Sequence, residues 1–152
     1  CLIAPGLAFG PLMVMGSFFV LTGEISFLVL ALSMVPFFLV NNLLLLNQVP
    51  DLKADKQVGR NNILMKLGVA KGMYIFSVFV LLALAIFLLT ILYFDLPDTV
   101  LISLVGFLLA IPMILIVLKH YENREKLMPA LGMNVIINIL IPALIALGLW
   151  LA

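Results

Sequence analysis

The chain has 152 residues, of which 66% are hydrophobic and 10% are charged. Soluble domains average about 45–50% apolar and about 25% charged residues, so this composition excludes a soluble fold and makes lipid the expected solvent. The formal net charge of +1 gives no reason to expect a nucleic-acid partner. The first residues, beginning with Cys1, are already apolar and lack the charged region of a signal peptide, so we expect the sequence to be the C-terminal portion of a longer protein.

Five stretches predict helices that cross a membrane, because a bilayer core takes about 20 consecutive apolar residues in a helix. Strands are excluded because the runs are long and do not alternate, and membrane helices tolerate the prolines that these stretches contain. We therefore predict an all-α, polytopic transmembrane helical bundle that forms a single domain over residues 1–152. The predicted spans are residues 2–21, 25–46, 72–94, 99–118 and 131–151.

Lysine and arginine are concentrated in two of the four connections between these spans. The first basic connection, 47–71, contains Lys53, Lys56, Arg60, Lys66 and Lys71, and the second, 119–130, contains Lys119, Arg124 and Lys126. The other two connections contain neither residue type. Because Lys and Arg in short loops stay on the cytoplasmic side, we predict that both basic connections are cytoplasmic and that the C-terminus lies across the membrane. The expected location is a plasma or inner membrane, surrounded by membrane lipids.

The first basic connection also contains a regular series of polar residues. Asn47, Asp51, Asp55 and Gly59 follow one another at intervals of four, which places them on one stripe if the second span continues as a helix. Two carboxylates one turn apart repel each other and are unfavourable at the C-terminal end of a helix. A divalent cation would offset both costs, and Mg²⁺ is typically held by one or two carboxylates together with phosphate oxygens.

Basic residues accompany this acidic stripe, and Lys and Arg side chains bind phosphate. Acidic and basic residues together at the edge of an apolar bundle predict a Mg²⁺–diphosphate site for a ligand with a lipid tail. For the pair Asp51 and Asp55 alone, a solvated helix with mixed charges is the alternative. The basic candidates are Lys53, Lys56, Arg60 and Lys66.

The acid pair belongs to a longer pattern, formed by Asn47, Asp51, Asp55, Gly59, Arg60, Leu67 and Gly68. This pattern resembles the second aspartate-rich motif of the UbiA superfamily of membrane prenyltransferases. The Gly-Pro-Leu-Met-Val-Met-Gly run at 10–16 looks like the helix that precedes the motif in the dihydroxynaphthoate prenyltransferases of menaquinone synthesis. The sequence around the motif is therefore most similar to that of the quinone-type branch. The family commonly has Thr where this chain has Asn62.

The resemblance implies a bundle of about nine spans, of which the spans here would be the last five, so that a first aspartate-rich motif lies outside this sequence. It implies an enzyme that transfers an isoprenyl group from a polyprenyl diphosphate, through an allyl cation, to a lipid-soluble or aromatic acceptor such as a quinone precursor. We expect the 152 residues alone to be inactive. Asp51 and Asp55 would be the catalytic residues and the Mg²⁺ ligands, and the diphosphate would be bound by Asn47, Lys53, Lys56, Arg60 and Lys66.

Three other functions fit parts of the sequence. In a secondary transporter, Asp51 and Asp55 would be coupling residues, although such sites normally lie near the membrane midplane. A CDP-alcohol phosphotransferase also uses Mg²⁺ and paired aspartates, but positions 43–49 lack the further Asp and Gly residues of that motif. An assembly subunit would leave the charges solvated. Asn134 and Asn138, one turn apart in the fifth span, predict hydrogen bonds between helices.

Overall fold

The structure, a computed structural model, describes residues 3–152. Five of its helices are long and apolar enough to cross a membrane, namely Ala4–Thr22, Phe27–Gln57, Val69–Phe94, Asp98–His120 and Arg124–Trp150. The predicted all-α bundle with five spans is therefore confirmed. The predicted first span begins at Leu2, which together with Cys1 lies outside the described residues.

The elements are numbered in chain order. The first span consists of α1 (Ala4–Leu7), a π-helical turn (Ala8–Leu12) and α2 (Met13–Thr22), followed by α3 (Phe27–Gln57), α4 (Ile63–Leu67) and α5 (Val69–Phe94). A 3₁₀-helical turn (Asp98–Ser103) leads into α6 (Leu104–His120), and α7 (Arg124–Trp150) completes the chain. Pro11 lies inside the π-helical turn, where its missing N–H changes the helical hydrogen bonding.

The largest extensions beyond the boundaries predicted from hydropathy occur in two helices. α3 ends at Gln57 rather than at residue 46, and α7 begins at Arg124 rather than at residue 131. The additional turns are polar, so a search for lipid-length apolar runs does not include them. The start of α7 is fixed by Asn123, whose side chain accepts a hydrogen bond from the Lys126 N–H at 3.1 Å and so caps the helix.

The four longest spans pack in a ring. α3 contacts α5 and α7, and α6 contacts α5 and α7, so the four helices enclose a shared apolar core that includes Phe76, Met113 and Ile137. The outward surface of this ring is also apolar, with exposed side chains such as Leu108 and Leu115. Extended apolar surface of this kind is expected where a protein faces lipid rather than water.

The first span packs on α3 alone in the described part of the chain. Gly6 and Gly10 are buried against α3, and a Cβ added at Gly10 would lie 2.7 Å from the Ser33 carbonyl oxygen. Two small residues separated by three positions allow membrane helices to approach closely. The Gly6 N–H also donates to Asn41 Oδ1 at 2.9 Å, so this contact is both close and polar.

All positively charged side chains lie at one end of the bundle, which we call the basic end. It is formed where α3 ends, α4 lies, α5 begins, α6 ends and α7 begins, and it contains Lys53, Lys56, Arg60, Lys66, Lys71, Lys119, Arg124 and Lys126. Asp95 and Asp98 lie at the opposite end with the exposed aromatic residues Tyr93 and Trp150. This separation of charge along the bundle is the pattern that the sequence analysis used to orient the chain.

Candidate active site

The acidic residues lie on the last turns of α3, at the basic end. Asn47, Asp51 and Asp55 are one turn apart in a single helix, and at 3.6 residues per turn they fall within about 80° of its circumference. Gly59 lies beyond the end of α3 at Gln57. The predicted stripe therefore has three members on the helix, and the prediction that Gly59 continues it is wrong because the helix ends first.

Gly59 instead closes α3 and turns the chain back toward Asp55. Its φ of 72° is a left-handed conformation that glycine adopts without steric cost. The Gly59 N–H donates to the Lys56 carbonyl at 3.3 Å, and the Arg60 N–H donates to the Asp55 carbonyl at 2.9 Å, which is the bonding of a Schellman cap. The Arg60 guanidinium thereby reaches the Asp55 carboxylate, with 3.5 Å between Nη1 and Oδ1. The Asp-x3-Gly-Arg spacing is thus the spacing that pairs this acid with this base.

A second side chain holds the same carboxylate. Asn62 Nδ2 donates to Asp55 Oδ2 at 3.2 Å, and Asn62 Oδ1 accepts from the Met65 N–H at 3.0 Å. One amide therefore orients Asp55 and also provides the N-cap of α4. With both partners in place the Asp55 side chain is only 16% exposed, whereas that of Arg60 is 77% exposed.

Lys56 and Arg60 share a cleft beside this acid–base pair. The cleft has a volume of about 450 Å³ and is lined by Lys56, Gly59, Arg60, Asn61 and Met65. Both basic side chains are exposed, so a ligand in the cleft can reach them. Asn47 and Asp51 are also exposed, on the face of α3 that carries Asp55. The structure thus places five of the predicted site residues at this end of α3, with Asp51 one turn before Asp55.

Two of the predicted phosphate-binding residues do not join this group. Lys66 is exposed on α4 and, within the residues that the structure describes, lines neither the cleft nor the cavity lined by Lys53. Lys53 lines a different cavity, which it shares with Lys71 and Arg124. At about 100° per residue Lys53 lies about 160° around α3 from Asp51, so its proximity in sequence does not make it a neighbour in space.

The side chains fit a magnesium ion that is completed by a ligand. Among residues 3–152, no group of three or more His, Cys, Asp and Glu side chains is placed to hold a metal by itself. Asp51 and Asp55 provide two carboxylates on one helix face, and Mg²⁺ is commonly held by one or two carboxylates with substrate phosphate oxygens and water. The donor set therefore suits a metal that binds together with a phosphorylated substrate.

Three residues have larger roles in the structure than the sequence predicts. Asn62 stands where the resembled family commonly has Thr, and a polar residue directly before a short apolar helix is a capping signal. Lys71 and Arg124, which contribute to the charge pattern that orients the chain, both line the cavity with Lys53. Nothing in the sequence alone joins these three basic residues, since they come from separate helices.

Comparison with known families adds an independent finding. A family model described as "UbiA prenyltransferase family" matches residues 3–138, which is most of the chain and includes the whole acidic motif. Comparison with curated proteins and with solved structures gives no significant match. The match favours the prenyltransferase prediction over a transporter, a CDP-alcohol phosphotransferase or an assembly subunit.

Proposed function

Because this chain belongs to the UbiA prenyltransferase family, we propose that it takes part in Mg²⁺-dependent transfer of an isoprenyl group from a polyprenyl diphosphate to a lipid-soluble acceptor. The acceptor class we favour is a quinone precursor, since the sequence of the motif is most similar to that of the quinone-type branch. The family assignment covers membrane prenyltransfer in general, and the metal, the donor site and the acceptor are our proposal.

The observation that carries the proposal is the joint placement of acids and bases at the end of α3. Asp55 is held by Arg60 and Asn62, Asp51 lies one turn earlier, and the cleft beside them is lined by Lys56 and Arg60. Carboxylates suit the metal, and guanidinium and ammonium groups suit the diphosphate oxygens. Apolar helices directly above this site suit the hydrocarbon tail of the donor.

In this arrangement Asp51 and Asp55 would hold Mg²⁺, and Asn47 would orient the metal or the diphosphate one turn deeper in the bundle. Lys56 and Arg60 would hold diphosphate oxygens, with Lys66 available from α4. A bound Mg²⁺ would neutralise charge on the leaving diphosphate. The allylic C–O bond then breaks with its electron pair on the diphosphate oxygen, and the acceptor supplies the electron pair that forms the new bond and loses a proton. Exclusion of water by the apolar helices protects the allyl cation.

We also propose that the basic end faces the cytoplasm. Every Lys and Arg of the chain is at this end, and such residues in short loops are retained on the cytoplasmic side. Exposed Tyr93 and Trp150 at the other end are typical of the membrane–water boundary. Cysteine labelling of position 61 or 95 with a membrane-impermeant reagent, in intact and in opened cells, tests this orientation.

Substitution of the two acids tests the proposed site. In membranes that contain the full-length protein, Asp51→Asn and Asp55→Asn should each lower transfer of a radiolabelled prenyl chain by about 100-fold or more. The matched control is Asp95→Asn, which removes an exposed carboxylate at the opposite end of the bundle, at a position with φ of 50° that Asn also tolerates. This control should transfer normally.

The metal requirement is a separate part of the same test. Transfer by the unaltered protein should stop when Mg²⁺ is removed with a chelator and return when Mg²⁺ is added. Full transfer by Asp51→Asn would remove Asp51 from the site, and transfer that persists in the chelator would remove the metal from the proposal.

A further inference from the structure

A second cavity lies at the basic end, inside the ring of spans, and we call it the inner cavity. It has a volume of about 740 Å³, within the range of about 300–1,000 Å³ that is usual for ligand sites. α3, the start of α5 and the start of α7 all contribute to its wall. Its lining residues are Val49, Pro50, Leu52, Lys53, Leu67, Gly68, Val69, Ala70, Lys71, Tyr121, Glu122, Arg124, Leu127 and Leu131.

The inner cavity is distinct from the proposed active site. The acids of α3 lie on average about 180° around the helix, at about 100° per residue, from the α3 residues that line the inner cavity. Those lining residues are Val49, Pro50, Leu52 and Lys53. In the described part of the chain, the inner cavity and the cleft beside Arg60 have no lining residue in common. A ligand in the inner cavity would therefore be separated from the acids by the body of α3.

The charged residues of the inner cavity favour an anion. Lys53, Lys71 and Arg124 come from three different helices and share the cavity wall with one carboxylate, that of Glu122, which leaves a formal excess of two positive charges. The cavity wall also includes Val69 and Ala70, in the first turn of α5. The first N–H groups of a helix have no partner within it, and they add positive potential on the same side.

The remaining wall favours hydrocarbon. Val49, Leu52, Leu127 and Leu131 line the cavity next to the charged residues, and half-buried Tyr121 stands between polar and apolar surface, as tyrosine commonly does at membrane interfaces. A site with basic residues at its mouth and aliphatic residues deeper in the bundle matches an amphiphile with a phosphate headgroup.

We propose that the inner cavity binds the phosphate headgroup of an anionic membrane phospholipid, with an acyl chain along its leucine-lined wall. Basic pockets between membrane helices at the cytoplasmic side are suited to such headgroups. A phosphodiester carries one negative charge, which the lysines and the arginine neutralise without a metal. A prenyl diphosphate carries more charge, and the cavity lacks the aspartates that would hold a metal to balance it.

Native mass spectrometry of the full-length protein in detergent tests the proposal with four probes. These are dioleoyl phosphatidylglycerol, dioleoyl phosphatidylcholine, inorganic phosphate and geranylgeranyl diphosphate. We expect a tight adduct with phosphatidylglycerol that weakens about fivefold for each of Lys53→Gln, Lys71→Gln and Arg124→Gln, and that weakens further at high salt. The matched control is Lys126→Gln, which removes an exposed cation from α7, the helix that carries Arg124, without touching the cavity wall.

A second variant blocks the cavity without changing its charge. Ala70 lines the cavity and is exposed, so Ala70→Phe should fill the space and lower phosphatidylglycerol binding while the thermal unfolding midpoint stays unchanged. Equal binding of phosphatidylcholine would overturn headgroup recognition. Binding that is insensitive to all four variants, or binding of inorganic phosphate that matches the lipid, would also overturn the proposal.

The test separates this site from the proposed active site. Asp51→Asn should bind phosphatidylglycerol normally even though we expect it to lose prenyl transfer, so failure of one proposal leaves the other intact. If geranylgeranyl diphosphate displaces phosphatidylglycerol one for one, and Lys53→Gln weakens both equally, the cavity holds the prenyl donor and the phospholipid proposal is wrong.

Discussion

Asn62 offers the sharpest test of how the carboxylates are positioned, because one side chain makes two separable contacts. Asn62→Ala removes the cap of α4, which costs about 1 kcal/mol of stability, and also the donor to Asp55 at 3.2 Å. A hydrogen bond to a charged group contributes about 1.5–3 kcal/mol, and this one is long, so the lower value applies. Since 1.4 kcal/mol is a factor of ten, the Mg²⁺ concentration for half-maximal prenyl transfer should rise about tenfold, as for other partners that orient metal ligands.

The assay is a Mg²⁺ titration of prenyl transfer in membranes that contain the full-length protein, together with its thermal unfolding midpoint in detergent. Asn123→Ala is the matched control, because Asn123 caps α7 through the Lys126 N–H at 3.1 Å and is not bonded to Asp55. It should lower the unfolding midpoint, although less than Asn62→Ala, which also loses the bond to Asp55, and it should leave the Mg²⁺ requirement unchanged. Asn62→Thr keeps a capping hydroxyl and should have a smaller effect than Asn62→Ala. Equal Mg²⁺ shifts for Asn62→Ala and Asn123→Ala would refute the reasoning, since loss of stability alone would then explain the result.

Two further predictions concern the packing of α3. Gly10→Ala should lower the free energy of unfolding by about 1–3 kcal/mol through overpacking, because the new Cβ would lie 2.7 Å from the Ser33 carbonyl oxygen. Gly16→Ala is the control and should leave this free energy unchanged, because a Cβ there has nothing within 4 Å. Equal effects of the two variants in a denaturant titration would contradict this account. Asn134→Ala should lower the free energy of unfolding by about 0.6–1.7 kcal/mol, because Asn134 Nδ2 donates to the Asn42 carbonyl at 3.2 Å. An unchanged denaturation midpoint for Asn134→Ala would mean that this hydrogen bond adds no stability.

The number and kind of spans could be predicted because a lipid environment permits very few backbone structures. A buried backbone without water must form helices or closed barrels, so apolar runs of sufficient length identify the five spans without any knowledge of packing. The C-terminal end of α3 and the start of α7 could not be predicted in this way, since residues 47–57 and 124–130 lie beyond the apolar runs. Their signals are local instead, namely the Gly59 cap and the Asn123 cap.

The candidate site could be predicted only as far as one helix determines it. The four-residue spacing correctly groups Asn47, Asp51 and Asp55, because helical geometry relates them. The same geometry separates Lys53 from the acids, because Lys53 lies on the other side of the helix. Contacts between helices could not be predicted from the sequence. Lys53, Lys71 and Arg124 line one cavity only because of the way in which three helices pack.

The rotation of α3 about its own axis decides where its two functional faces point, namely the face with Asp51 and Asp55 and the face with Lys53. Asn42 Nδ2 donates to the Phe76 carbonyl of α5 at 2.8 Å, and the Asn42 carbonyl accepts from Asn134 of α7, while Asn41 binds the Gly6 N–H of the first span. Such bonds contribute little energy in a membrane, but they attach α3 to its neighbours from two sides. A turn of one residue would rotate the helix by about 100° and break them together. The same attachment that directs Asp51 and Asp55 to one face therefore directs Lys53 to the inner cavity.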